Sequence, residues 1–138
     1  VASMLAAAKA GADAVDCAID PMSGTTSQPS MGGIIGSCAN TELDTGIPIN
    51  DIVPLLDYWE SIRVSYSAFE ANQKSGSADV YLHEMPGGQY TNLLFQSKQL
   101  GLAGQWPEVK KAYAQANHLL GDIVKVTPSS KGVGDLAN

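Results

Sequence analysis

Apolar residues fall along this chain in bursts with two different periods. Residues 3–10 are alanine-rich with Gly11 behind them, which predicts a helix and its stop. Residues 13–19 (DAVDCAI) form a short apolar run that predicts a buried strand. Helix, glycine and buried strand in succession is the rhythm of an α/β fold with a parallel sheet. A polar stretch, residues 20–30, comes next. Loops behind the carboxyl ends of strands carry the chemistry in such folds, so this is the first place to look for function.

Residues 30–40 (SMGGIIGSCAN) predict a second helix, weakened by Gly32, Gly33 and Gly36, whose bare backbone would allow a neighbour to approach closely. After a turn-rich linker at 41–48, Asn50 is a good N-cap for a long helix running to about residue 72, with Pro54 near its first turn. Ile52, Leu55, Leu56, Trp59, Ile62, Tyr66 and Phe69 recur at three and four residues and predict one apolar stripe, read as core or inter-subunit contact. A turn at 74–78 leads to a second strand candidate at 79–82 and a sharp corner at Pro86, Gly87 and Gly88. Helices are predicted at 90–99, closed by Gly101, and at 107–120, opened by Pro107 and stopped by Gly121. An extended stretch at 123–126 precedes the helix-start signal TPSS at 127–130. Two strands cannot close a barrel or a doubly wound sheet, and their edges would stay open. The chain is therefore expected to be part of an α/β domain whose other strands lie elsewhere.

Composition narrows the function. Hydrophobic residues make up 44% and charged residues 16%, a globular balance, and the formal net charge is −6. A surplus of acid argues against nucleic-acid or anionic-membrane partners. No apolar run approaches the roughly 20 residues of a membrane span. Residues 1–10 carry neither a charged start nor a cleavage site, so no signal peptide is expected, and the missing initiator Met suggests a start within a longer protein. Cys17 and Cys38 read as small buried residues in a reducing compartment; with His83 and His118 they lack the spacing of a structural zinc site.

Three blocks carry a resemblance. Residues 22–30 (MSGTTSQPS), 83–92 (HEMPGGQYTN) and 121–135 (GDIVKVTPSSKGVGD) are similar, in this order, to segments of pyruvate carboxylase carboxyltransferase domains. Residues 57–60 (DYWE) and 68–70 (AFE) fit as well, and Gly132 departs from the family's usual valine. The resemblance implies the C-terminal part of a (β/α)8 TIM-type barrel, incomplete in this chain, followed by a helical funnel. Residues 1–100 would belong to the barrel's last strands and helices and 101–138 to the start of the funnel, with Pro86, Gly87 and Gly88 closing the barrel.

It further implies a biotin-dependent ligase activity, in which a carboxyl group passes from carboxybiotin to pyruvate to give oxaloacetate. The proton shuttle of the family maps onto Thr26, with Thr25 one place away. Ser23, Ser27, Gln28 and Ser30 are the candidates for contacting biotin or holding the loop. Biotin on a carrier domain, a divalent metal, an ATP-using domain and a homotetramer are implied, all with their own residues outside this chain, in the mitochondrial matrix or the cytoplasm. No metal ligand is expected within the chain, and the chain alone is expected to be inactive. The oxaloacetate decarboxylase α subunit and the transcarboxylase share the chemistry, and a purely structural, subunit-contact role is the non-enzymatic alternative. His83 and Glu84 read as a buried hydrogen-bonded pair rather than as catalysts, and His118 as a surface or packing residue.

Overall fold

The alanine run at the start of the chain folds as predicted, as α1 (Ala2–Lys9), and Gly11 reverses the chain at φ +102°. The computed structural model describes residues 1–137. They divide into two compact units, Val1–Glu70 and Ala71–Asn138.

In the first unit the predicted strand at 13–19 does not form. Asp13, Ala14 and Asp16 are exposed, and Val15, Cys17 and Ile19 are only half-buried. The stretch makes a single parallel bridge, in which Ala18 N–H donates to Pro29 O (2.9 Å) and Met31 N–H donates to Ala18 O (2.8 Å). The reason is that a strand is held by neighbours on its hydrogen-bonding edges, and here residues 30–31 alone offer one. Among the described residues there is no strand, so this chain by itself is helical rather than α/β.

Ser30 starts α2 (Met31–Cys38) by accepting a hydrogen bond from Gly33 N–H at its Oγ (3.1 Å). Ile34, Ile35 and Cys38 are buried on it, as is Ile52 on α3 (Ile49–Ser65). Both cysteines carry free thiols. The third helix departs from expectation in three ways. It begins behind Pro48 with no side-chain cap, so Asn50 lies inside it; it carries Pro54 in its interior; and it ends at Ser65, before a 3-10 turn at Ser67–Phe69. Of its stripe only Ile52 is buried, Leu56 and Ile62 are half-buried, and Phe69 is 83% exposed. The period was read correctly, but the surface that would cover the stripe is not among these residues, so it is not a core.

In the second unit residues 80–83 form one helical turn, α4 (Val80–His83), where a strand was expected. A span of four residues is too short to separate the two periods. Hydrogen bonds decide: His83 N–H and Leu82 N–H both donate to Asp79 O, at 3.1 and 2.9 Å. Glu84 then turns the chain at φ +56°, and Pro86 precedes α5 (Gly87–Gln99). The Pro-Gly-Gly corner thus opens a helix and closes no barrel within this chain. Gly101 (φ +79°) leads through a 3-10 turn at Ala103–Gln105 to α6 (Trp106–Leu119), which has Pro107 in its first turn. Gly121 (φ +86°) ends it, and Ser129, whose Oγ accepts from Val126 N–H (3.1 Å), opens α7 (Ser129–Ala137). Met85, Leu93, Val109, Tyr113, Ala116 and Val133 form the core of this unit. Beside it Trp106 Nε1 donates to Tyr90 OH (3.1 Å), with the two rings edge to face.

Candidate functional site

Residues 20–30 fold back on themselves on the first unit. Asp20 opens a 3-10 turn (Asp20–Met22) and its Oδ1 accepts from Gly32 N–H (2.7 Å), tying the start of the loop to the first turn of α2. A methyl group at position 32 would collide with the Asp20 carboxylate and force it to shift, whereas Gly36 faces open space. Gly32→Ala is accordingly expected to break the Asp20 bond and destabilise the protein by ~1–3 kcal/mol. Gly36→Ala, gaining ~0.5–1 kcal/mol of helix propensity, is expected to be neutral or stabilising. Unfolding midpoints of the two variants in the full-length protein make the comparison.

The tip of the loop is closed by Ser27 N–H donating to Gly24 O (2.8 Å) and Gly24 N–H donating to Gln28 O (2.9 Å). Gly24 sits at φ +79° and Thr25 at φ +44°. A β-branched residue in the left-handed region is strained, and such strain gathers at working sites. Thr26 follows directly. It is half-buried, and its hydroxyl has no partner among the described residues. Ser23 Oγ donates to Asp20 O (2.7 Å), and Ser30 Oγ is taken by its cap on α2. Ser27 and Gln28 are exposed.

Beneath the loop a cavity of about 240 Å³ is lined by Met22, Ser23, Thr25, Ser27, Arg63, Tyr66, Phe69 and Glu70. It unites Ser23 and Ser27 among the predicted site residues and leaves Thr26, Gln28 and Ser30 outside its wall. Arg63, Tyr66 and Glu70 were not foreseen in this role. One signal was available: Arg63 is the only arginine in the chain.

The other titratable cluster lies in the second unit, on a cavity of about 370 Å³ lined in part by Asp79, His83, Lys110 and Lys111. His83 is 4% exposed; its Nδ1 accepts from Met85 N–H (3.0 Å) and its Nε2 faces Asp79 Oδ1 at 3.7 Å. Burial pushes His83 below its ordinary 6.5, against the opposing pull of the Asp79 carboxylate. The hydrogen bond from Lys110 holds Asp79 down at about 2. Glu84 points elsewhere, accepting from Lys125 Nζ (2.7 Å) and Asn117 Nδ2 (3.4 Å). The expected His83–Glu84 pair is therefore two separate contacts. His118 is on the surface, 3.2 Å from Asp122.

These shifts set a pH dependence. An unfolded chain takes a proton on His83 near pH 6.5, which the buried ring refuses until the pH is lower, so stability is expected to fall as pH drops below about 6.5. The Asp79 contribution is present above its ordinary 3.8 and is lost as pH falls through about 2. Denaturant midpoints against pH should show the first slope vanish in His83→Gln while the second remains.

Among the described residues no three or more His, Cys, Asp or Glu side chains converge to hold a metal ion. No helix among them is long and apolar enough to cross a membrane.

Residues 80–138 match a conserved carboxylase domain family. Pyruvate carboxylase 1 of Caenorhabditis elegans is 61% identical over 139 aligned residues, covering 99% of this chain and 12% of that protein. Human mitochondrial pyruvate carboxylase is 57% identical with the same coverage. The carboxyl transferase domain of Rhizobium etli pyruvate carboxylase, solved with pyruvate and biocytin, superposes with a TM-score of 0.94 at 53% identity, over 99% of this chain and 23% of that one. The chain thus spans about 12% of the length of the curated relatives it matches.

Proposed function

The chain belongs to the pyruvate carboxylase family as a homologue of a stretch of its carboxyltransferase domain, and from that premise we propose that it supplies the proton-transfer loop for carboxylation of pyruvate to oxaloacetate. Identity of 61% across 99% of the chain carries this reading. In the whole protein, residues 1–100 take part in closing a (β/α)8 barrel and 101–138 begin the helical funnel. The extended stretch before Asp20 supports it, since its single parallel bridge, Ala18 to Ser30, is the only strand pairing it finds among the described residues.

Biotin, when bound, presents a carboxyl group on a ring nitrogen. Transfer breaks one N–C bond and forms one C–C bond; the nitrogen gains a proton and the pyruvate methyl loses one. The Thr26 hydroxyl serves both needs, since it can donate its own proton to the nitrogen and accept the methyl proton, ending unchanged. That it has no partner among the described residues supports this role, because a hydroxyl already engaged would have to break a bond first. Ser23, Ser27 and Gln28 contact the carrier ring, while Ser30, occupied by its cap, holds the loop. The described residues do not form a metal site. The carrier domain, the metal ligands and an ATP-using domain come from the rest of a homotetrameric enzyme of the mitochondrial matrix or the cytoplasm.

The test is to purify the full-length protein containing this stretch and follow oxaloacetate formation from pyruvate, bicarbonate and ATP. Activity abolished by avidin is the expected result; absence of avidin-sensitive product refutes the reading.

A further inference from the structure

The loop that bears Thr26 is held from three sides, and only two of them are local. Asp20 ties its start to Gly32 N–H, and the bonds of Ala18 with Pro29 and Met31 close its base. The third tie comes from the last turn of α3, 42 residues away: Arg63 Nη1 donates to Pro21 O at 2.5 Å. No backbone N–H among the described residues reaches that carbonyl. Arg63 is itself oriented, because its Nε donates to Glu70 Oε1 at 2.8 Å. Guanidinium suits this task, with donors fixed in a plane that can hold a carbonyl and a carboxylate at once.

We infer that Arg63, aimed by Glu70, is a positioning residue for carboxyl transfer: it sets where the loop, and so the Thr26 hydroxyl, stands. Stability does not account for the pair. Its side chains are 48% and 37% exposed, and exposed ion pairs add little to folding. Its geometry, in contrast, acts on a segment five residues from the reacting hydroxyl. Proton transfer is acutely sensitive to distance, and a shift of about 1 Å can cost on the order of a hundredfold in rate. This inference rests on the shuttle role of Thr26.

The test uses the full-length enzyme with Arg63→Met, Arg63→Lys and Glu70→Gln. Expected for Arg63→Met is a fall in kcat for oxaloacetate formation of about tenfold or more, with KM for pyruvate little changed and bicarbonate-dependent ATP cleavage retained. The kinetic isotope effect with methyl-deuterated pyruvate should rise, because a misplaced hydroxyl makes the proton step slower; a merely structural loss of active enzyme would lower kcat without moving that ratio. Arg63→Lys should recover part of the rate by reaching Pro21 O, and Glu70→Gln should show a smaller change of the same kind. Unchanged kcat and isotope effect in Arg63→Met overturns the inference; should that variant not fold, the same result in both Arg63→Lys and Glu70→Gln overturns it. Thr26→Ala run beside them separates the two ideas. If it is inactive while the Arg63 variants are normal, only the positioning role falls; if it is fully active, the shuttle and the inference fall together.

Discussion

Thr26→Ala in the full-length protein is expected, on the proposed shuttle role, to slow carboxyl transfer by ~10²–10⁴-fold, the usual worth of a placed proton donor and acceptor. Bicarbonate-dependent ATP cleavage should persist, because that half-reaction needs no proton from this loop. The reason lies in the geometry of residues 23–28. The tip is closed by two backbone bonds, Thr25 is held at φ +44°, and the hydroxyl next to it has no partner among the described residues. Water can replace a hydroxyl chemically but not its position. Thr26→Ser should keep activity within about tenfold of normal, since the group survives while the β-branch that stiffens it is lost. Thr25→Ala is the control against a misassigned neighbour: Thr25 lines the cavity wall, and its replacement should leave most of the transfer rate. Assaying the two half-reactions separately decides the matter. Equal loss of both in Thr26→Ala would remove the shuttle from the mechanism.

Leu93→Ala should have the largest effect on stability, ~2–5 kcal/mol. Leu93 is wholly buried on α5, as are Tyr113 on α6 and Val133 on α7, and all three helices meet around it. The bare backbone of Gly134 lets α7 approach α5, since a Cβ there would collide with the Gln89 side chain and would touch Leu93 Cδ1 at an ordinary 3.5 Å. Truncation therefore leaves a cavity that three helices must collapse together to fill. Lys98→Ala, on the exposed face of the same helix, should change stability by no more than ~0.5 kcal/mol. Chemical denaturation of the full-length protein, with limited proteolysis near α5, measures both. Similar midpoints for the two variants would mean that this core does not hold the unit together.

The helices were legible because their signals are local. Gly11, Gly101 and Gly121 all stop helices at positive φ, Pro107 sits in a first turn, and Ser30 caps α2, each within a few residues of the bonds it controls. The strand readings failed for the opposite reason. Residues 13–19 have an apolar composition suited to a strand, but a strand needs paired neighbours, and among the described residues only one bridge, Ala18 to Ser30, reaches it. Residues 79–82 were too short for periodicity to decide, and the bonds to Asp79 O made them helical. The stripe on α3 shows the same limit: its spacing was evident, and its exposure was not.

The order of residues along the chain marks residues 20–30 as a candidate loop, since turn-forming glycine and proline punctuate it and its motif is contiguous. Tertiary structure alone could bring Arg63 to Pro21 and Glu70 to Arg63, divide His83 from Glu84, and leave the Thr26 hydroxyl without a partner among the described residues. Local hydrogen bonding is written in neighbouring residues; which distant side chain fills a space depends on how helices pack, and packing is a property of the folded chain as a whole.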